Sequence, residues 1–387
     1  MQAVILSFDS LAANCLGCYG NDWIETPHWD RLAATGAVFD QHFADVIGPL
    51  AGSSWITGTS INASAQTSNF VPLGRRLKAA GIQTRFVTAI EGNPWLQTAD
   101  FEQTIQVSGH NGLDARPDEV PIAAAVKSGL SLLIQPEFQQ MPRLLWLHCP
   151  GPQLPPRGFD SLYFEDFSER GVNIEELAGD ERDRHPAVYA GAVSLFDHWL
   201  GELLAGIEAT HEPTLVIVMA AQGHLWQHVH QATVNETKAR RQKMCDQQIQ
   251  APLSLKFFND DRFTELACVR SRRLVQTYDL TSTLFDWFNL DRPDHDLHAG
   301  RSWIRELTED VAARQTVSIH GLEQVEAVRT DAWLAIRDKS IQAASDPETQ
   351  QEVAAVSLYV KPQDIWDVDD VASQYPDVIS ELFANPR

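Results

Sequence analysis

Residues 3–20 read AVILSFDSLAANCLGCYG. Ala3-Val4-Ile5-Leu6 and Phe8 form a short apolar run bounded by a polar turn, the pattern of a strand buried on both faces of a parallel sheet. Asp9 ends that run, and open α/β sheets place their ligands at the carboxyl ends of such strands. Further on, Cys18-Tyr19-Gly20-Asn21 reads as a turn and residues 26–36, TPHWDRLAATG, as a capped helix. The fold class implied is α/β, with a large, mostly parallel central sheet flanked by helices.

Length and composition bound the rest. At 387 residues the chain is long for one domain, so a large α/β domain with a smaller partner is the natural arrangement. Hydrophobic residues at 44% and charged residues at 21% leave ample core material for a soluble globular protein. Thirty basic against fifty-two acidic side chains give a net charge of −22, which disfavours nucleic acid and anionic membranes as partners. The first strand starts almost at Met1, no apolar run reaches the length of a membrane span, and the five cysteines are odd in number and dispersed. Together these point to a soluble, cytoplasmic protein. Cys15 and Cys18 form a lone C-x-x-C, read as structural thiols.

The opening segments resemble the amino-terminal signature of the sulfatase family, within the alkaline phosphatase superfamily, where runs similar to FDSLRADHLGCYG and TPNLDRLA carry metal-binding carboxylates at the strand end. The resemblance implies an α/β fold, ester hydrolysis and a divalent metal. Its second informative stretch is residues 44–58, ADVIGPLAGSSWITG, in which Pro49 suits the first turn of a helix running to Thr57-Gly58. The matching family segment is similar to C-x-P-S-R-x-x-x-x-T-G, whose first residue is the nucleophile at a helix amino terminus, where free N–H groups stabilise an anion. Counted back from Thr57-Gly58, the nucleophile position is Gly48 and the arginine position Gly52. Ser53 and Ser54 are the remaining hydroxyls, more than a turn inside that helix.

The departures continue at the other strand ends. Residues 73–87 resemble the family's helix–strand unit, yet Thr88-Ala89-Ile90-Glu91 lacks its lysine and histidine. Residues 144–156, LLWLHCPGPQLPP, match a strand-end loop; His148 fits its first histidine, and Gly151-Pro152-Gln153 carries no second one. After the apolar strand TLVIVM at 214–219, Ala220-Ala221-Gln222-Gly223 stands where the family has S-D-H-G. The resemblance therefore leaves a ligand set of Asp9, with the neutral Ser10 and Gln222. Calcium takes about six to eight oxygens with carboxylates supplying the charge, so this is a weak, degenerate metal site, and no cofactor is expected.

Two further clusters stay open. His224, His228 and His230 invite a zinc reading, but they also fit a vestigial pocket histidine at His228 or surface histidines. Lys243, in the basic run KARRQKMCD at 238–246, is either a remnant of the family's active-site lysine or part of a solvated helix face.

The frame remains legible throughout. Residues 187–207 have a strong helical period, with Tyr189, Ser194 and Asp197 matching the family's structural helix, and 277–290 and 297–307 match later helices. Beyond Leu307, strand-like pieces at 324–329, 332–337 and 356–360 and a helix at 376–384 read as a small carboxyl-terminal antiparallel sheet with one helix, dividing the chain into 1–310 and 311–387. Asp369 and Asp370 read as a helix cap. Trp23, Trp55 and Trp226 are candidates for an apolar contact surface near the pocket or for the core.

Losses concentrated on one site imply a sulfatase-fold protein without hydrolytic activity that binds a protein or small-molecule ligand through the pocket around Gly48, Gly52 and Ala221. The competing reading is a calcium- or magnesium-dependent hydrolase of sulfate or phosphate esters. It uses Ser10, Ser53 or Ser54 as nucleophile, with His148, His228 and Lys243 around it. That reading requires a base within hydrogen-bond reach of the hydroxyl.

Overall fold

In the computed structural model, residues 1–60, 71–92, 98–165, 176, 179, 185–225, 244–291, 300–322, 324–342 and 354–384 are described. The strands in chain order are β1 (Gln2–Phe8), β2 (Ala37–Phe39), β3 (His42–Phe43), β4 (Gln83–Thr88), β5 (Gln103–Gln106), β6 (Arg143–Cys149), β7 (Thr214–Ala220), β8 (Leu253–Phe258), β9 (Val269–Ser271) and β10 (Val275–Gln276). They are followed by β11 (Val317–His320), β12 (Val325–Arg329), β13 (Trp333–Gln342) and β14 (Ala354–Val360). Eight of them form one sheet in the order β5-β4-β6-β1-β7-β8-β2-β9. The five from β5 to β7 run parallel, and β8 is antiparallel to both of its neighbours.

Every residue of β1 is buried, which is why its apolar run barely alternates. Val4, Leu6 and Phe8 face the helices Pro121–Leu133 and Pro186–Glu208 on one side, while Ala3 and Ile5 face the layer containing Trp55, Leu77, Leu280 and Trp303. The sheet is thus covered on both faces, as the sequence pattern required. Helix Pro27–Thr35 is tied down from outside its own turn: Asp197, on helix Pro186–Glu208, accepts from the backbone N–H groups of His28 and Trp29 at 3.0 and 2.7 Å. Burial pushes the Asp197 carboxyl up to about 6, against the opposing effect of those two bonds.

The four strands β11-β12-β13-β14 make a separate antiparallel sheet. One face packs Val328, Ala335 and Leu358 against helix Pro376–Ala384 through Leu382. The other packs Val317, Ile319 and Ile336 against Phe43, Ile47, Met244 and Leu274. Arg314 precedes this sheet and grips Asp279 with both guanidinium nitrogens, at 2.7 and 2.8 Å. Asp279 also accepts from the backbone N–H groups of Gln276 and Arg301. Neighbouring carboxylates raise the Arg314 pKa despite the burial that opposes it.

Four local expectations are corrected. The helix expected from Pro49 to Thr57 is confined to Ser54–Thr57, because Gly48 and Gly52 take left-handed φ values of +94° and +85° and break the chain into tight turns. Residues Gln103–Gln106, given no element from the sequence, form β5, a short and exposed edge strand. β11 was not anticipated; its four residues are too few for a period to stand out. Asp369 and Asp370 do not cap the last helix. Asp370 accepts from the N–H groups of Leu358 and Ala372, and so pins the tail to β14. Among the described residues, no helix is long and apolar enough to cross a membrane.

Removing one member of a buried ion pair strands the other. Arg314→Met should therefore destabilise the protein by about 3–5 kcal/mol, read as a lower urea midpoint, whereas Arg305→Met at the half-exposed Asp286 pair should cost no more than about 1 kcal/mol.

Candidate functional site

The parallel ladder continues past the ends of β1, β6 and β7 and brings three loops together. Asp9 N–H donates to Cys149 O at 3.1 Å, Ala221 N–H to Phe8 O at 2.8 Å, and Leu11 N–H to Gln222 O at 3.1 Å. Asp9 and Ser10 therefore stand between the β6 loop and Ala221-Gln222. A Cβ on Gly151 would lie 2.6 Å from Ser10 Oγ, and one on Gly52 would strike the Trp55 ring at 2.8 Å with Ala221 Cβ next at 3.4 Å. Close backbone approach here requires glycine at both positions.

Gly48 completes the constellation. Its N–H donates to Gln222 Oε1 at 2.8 Å, so the expected nucleophile position and an expected metal-ligand position are bonded to each other. Its φ of +94° suits glycine, and the Leu322 side chain from the turn between β11 and β12 stands 3.3 Å from where a Cβ would be. The small sheet thus supplies one wall.

His148 lies entirely buried on β6, beside Asp9. Its Nε2 is 3.1 Å from Asp9 Oδ1 and its Nδ1 is 2.8 Å from Ser7 Oγ. Trp146 Nε1 donates to that same Ser7 oxygen at 2.7 Å. The connectivity is serine–histidine–aspartate, but it is reversed: the hydroxyl is in the core and the Asp9 side chain, 43% exposed, faces outward. A working triad needs the opposite arrangement. Ser7 and Trp146 escaped the sequence reading. The signal was present as spacing, because Ser7 and Asp9 lie two apart on one strand, as do Trp146 and His148, and so share a face.

Of the expected site residues, Asp9, Ser10, Gly48, Gly52, His148 and Gln222 come together. His228, His230 and Lys243 lie outside the described residues, as does Trp226. His224 stacks on Tyr189, with centroids 4.8 Å apart and planes 6° apart, and burial lowers its pKa. Ser54 donates to the buried Asp45 at 2.7 Å and is itself only 1% exposed. Cys15 and Cys18 are free thiols whose pKa values burial raises. Trp23 packs edge-on against Tyr163, and Trp55 lies in the core against Trp146 and His148.

A calcium- or magnesium-type ion requires several oxygens with carboxylates among them. Here one Asp9 oxygen is bonded to His148, Gln222 Oε1 is bonded to Gly48, and Ala221 offers no donor. Among the described residues no group of three or more His, Cys, Asp or Glu is arranged to hold a metal. This donor set does not fit such an ion.

A sulfatase family model matches residues 2–290, and the chain belongs to that family. No curated protein sequence matches. Among solved structures, it is similar to the phosphonate monoester hydrolase of Agrobacterium radiobacter at 14% identity and TM-score 0.72, covering 99% of this chain and 94% of that one. The phosphonate monoester hydrolase of Silicibacter pomeroyi gives 15% identity and TM-score 0.70, with 99% and 93% covered. A protein solved with its substrate D-glucosamine-2-N,6-O-disulfate gives 14%, 0.68, 99% and 96%. At such identities the likeness is one of fold.

Gln222→Ala should cost about 1 kcal/mol, the worth of one half-buried hydrogen bond. Gly48→Ala should cost about 1–2 kcal/mol through its left-handed backbone. Both are read as shifts in the urea unfolding midpoint.

Proposed function

We propose that this protein is a sulfatase-family member that does not hydrolyse esters and that binds a protein or small-molecule ligand through the strand-end site. The observation that carries the reading is the bond from Gly48 N–H to Gln222 Oε1. It occupies the N–H at the very position where an attacking group and an ester oxygen need a free donor.

Hydroxyl chemistry is poorly served. Among the described residues Ser10 and Ser53 have no side-chain hydrogen bond to a base, while Ser54 and Ser7 have partners but are buried. Of these four strand-end hydroxyls, none thus combines exposure with a base in reach, the requirement for an activated nucleophile. The charge balance argues in the same direction. The strand-end segments 9–12, 48–52, 89–92, 150–153 and 221–225 contain Asp9, Glu91 and His224 but no lysine or arginine, which favours a ligand that donates hydrogen bonds or carries positive charge over an anionic ester. We place the protein in the cytoplasm, where five unpaired cysteines are compatible with the redox conditions.

Assay of the purified protein on an aryl sulfate, a phosphomonoester, a phosphodiester and a phosphonate monoester tests this reading, each with and without calcium, magnesium, manganese or zinc. No turnover above the uncatalysed rate is expected. Metal-dependent turnover that disappears in Asp9→Ala would overturn the proposal in favour of a hydrolase with a non-standard nucleophile.

A further inference from the structure

Among the described residues, large apolar side chains gather at the surface of the carboxyl-terminal tail. Ile365 is 53%, Trp366 39% and Val368 65% exposed, three within four residues, and Tyr375 further along is 43% exposed. Exposed apolar patches with polar rims mark interaction sites. We propose that this tail is a docking surface for a segment of a partner protein that sets Lys or Arg side chains around apolar ones. The surface involves none of the strand-end residues, and the inference does not rest on the reading above.

The tail displays these side chains in a fixed conformation. Asp367 takes a left-handed φ of +54° and is itself buried, where Lys361 bonds its carboxylate and the N–H of Asp246 donates to it at 2.7 Å. Its neighbours on either side, Trp366 and Val368, are exposed. Asp364 accepts from the N–H groups of Val368 and Asp369 at 3.0 and 2.9 Å, closing a turn around Ile365 and Trp366. Beyond it, the Asp370 carboxylate and Val371 N–H fasten the chain to Leu358 on β14, and the Tyr375 ring rests on Trp333 with centroids 5.3 Å apart. A loop already ordered in the free protein pays little further entropy on binding, so more of the apolar burial appears as affinity.

Charge selects the partner. From Pro362 to Ala384 the sequence holds Asp364, Asp367, Asp369, Asp370, Asp377 and Glu381, and no Lys, Arg or His. Of these, Asp369, Asp370, Asp377 and Glu381 are exposed. Cations that pack against the region are engaged: Lys361 is buried against Asp246 and Asp367, and Arg337 pairs with Glu326 and lies over the Phe383 ring. Such a rim repels an anionic membrane or a nucleic acid. A second copy using the same patch would set acid against acid, in a chain whose net charge is already −22. A segment with apolar side chains between Lys or Arg residues complements both features at once.

The test immobilises the whole chain and pans a phage-displayed library of random dodecapeptides against it. Enriched peptides should place Lys or Arg beside aromatic or aliphatic residues. By fluorescence anisotropy, their affinity should fall about tenfold or more in Ile365→Ser/Val368→Ser, the size of a hot-spot loss. In Asp369→Asn/Asp377→Asn it should fall about three- to tenfold, with a weaker dependence on salt. Both variants alter exposed side chains, so each should keep the wild-type melting temperature. Peptides that bind wild type and Ile365→Ser/Val368→Ser alike, enriched peptides without basic residues, or no enrichment above the input library would each overturn the proposal. A dimer in sedimentation that dissociates in Ile365→Ser/Val368→Ser would overturn it in favour of a second copy. Binding to phosphatidylcholine vesicles that is lost in that variant would overturn it in favour of a membrane. None of these results bears on ester hydrolysis, whose assay turns on Asp9.

Discussion

The in-register parallel pairing of β1 with β6 and β7 is the constraint on which the rest of the structure depends. It aligns Ser7 with His148 and with Met219, and it ends all three strands at the same height. Because side chains alternate along a strand, that single register decides which residues meet at the strand ends. A slip of one residue would turn Asp9 and His148 to opposite faces. The complete burial of β1 makes such a slip costly, since Val4, Leu6 and Phe8 would exchange places with Ala3, Ile5 and Ser7. The core that stabilises the fold thereby also aims the site.

A second constraint acts through the small sheet. β11 docks on the large sheet's loops through paired backbone bonds, His320 N–H to Asp45 O at 2.9 Å and Ile47 N–H to His320 O at 2.9 Å. Gly48, the next residue, and Leu322, two beyond His320, then face each other. Arg314 and Asp279 hold the base of this junction. Lys361 and Arg329 bond Asp246 from the small sheet's side, and Lys361 also bonds Asp367. The site is therefore one place where the two sheets meet, and its left-handed glycine at Gly48 is packed rather than loose.

The frame was legible in the sequence because burial on both faces writes itself as long apolar runs. β1, β6 and β7 and the helix Pro186–Glu208 all lie within a residue or two of where periodicity put them. Positions at the site were legible for a different reason: the resemblance aligned them, and Asp9, Gly48, His148 and Gln222 do converge. What the sequence did not disclose is how they are bonded. The Gly48–Gln222 bond is donated from a left-handed backbone at Gly48, which no glycine count predicts. The contacts behind Asp9 run through Ser7, a small polar residue in an apolar run and easily read as a flaw in it. Short elements were lost for want of length, β5 and β11 above all.

Electrostatics ties these observations together. Several carboxylates in one pocket are tolerable only while a cation neutralises them; without it, their repulsion and desolvation penalise the folded state. A strand-end site with few carboxylates has correspondingly less need of a cation. Ala221 and Gln222 are neutral, and Gly52 carries no compensating cation. Asp9 is the remaining carboxylate among those positions, and its Oδ1 lies 3.1 Å from Nε2 of the buried His148. Neutral partners around a single supported anion form a self-consistent set.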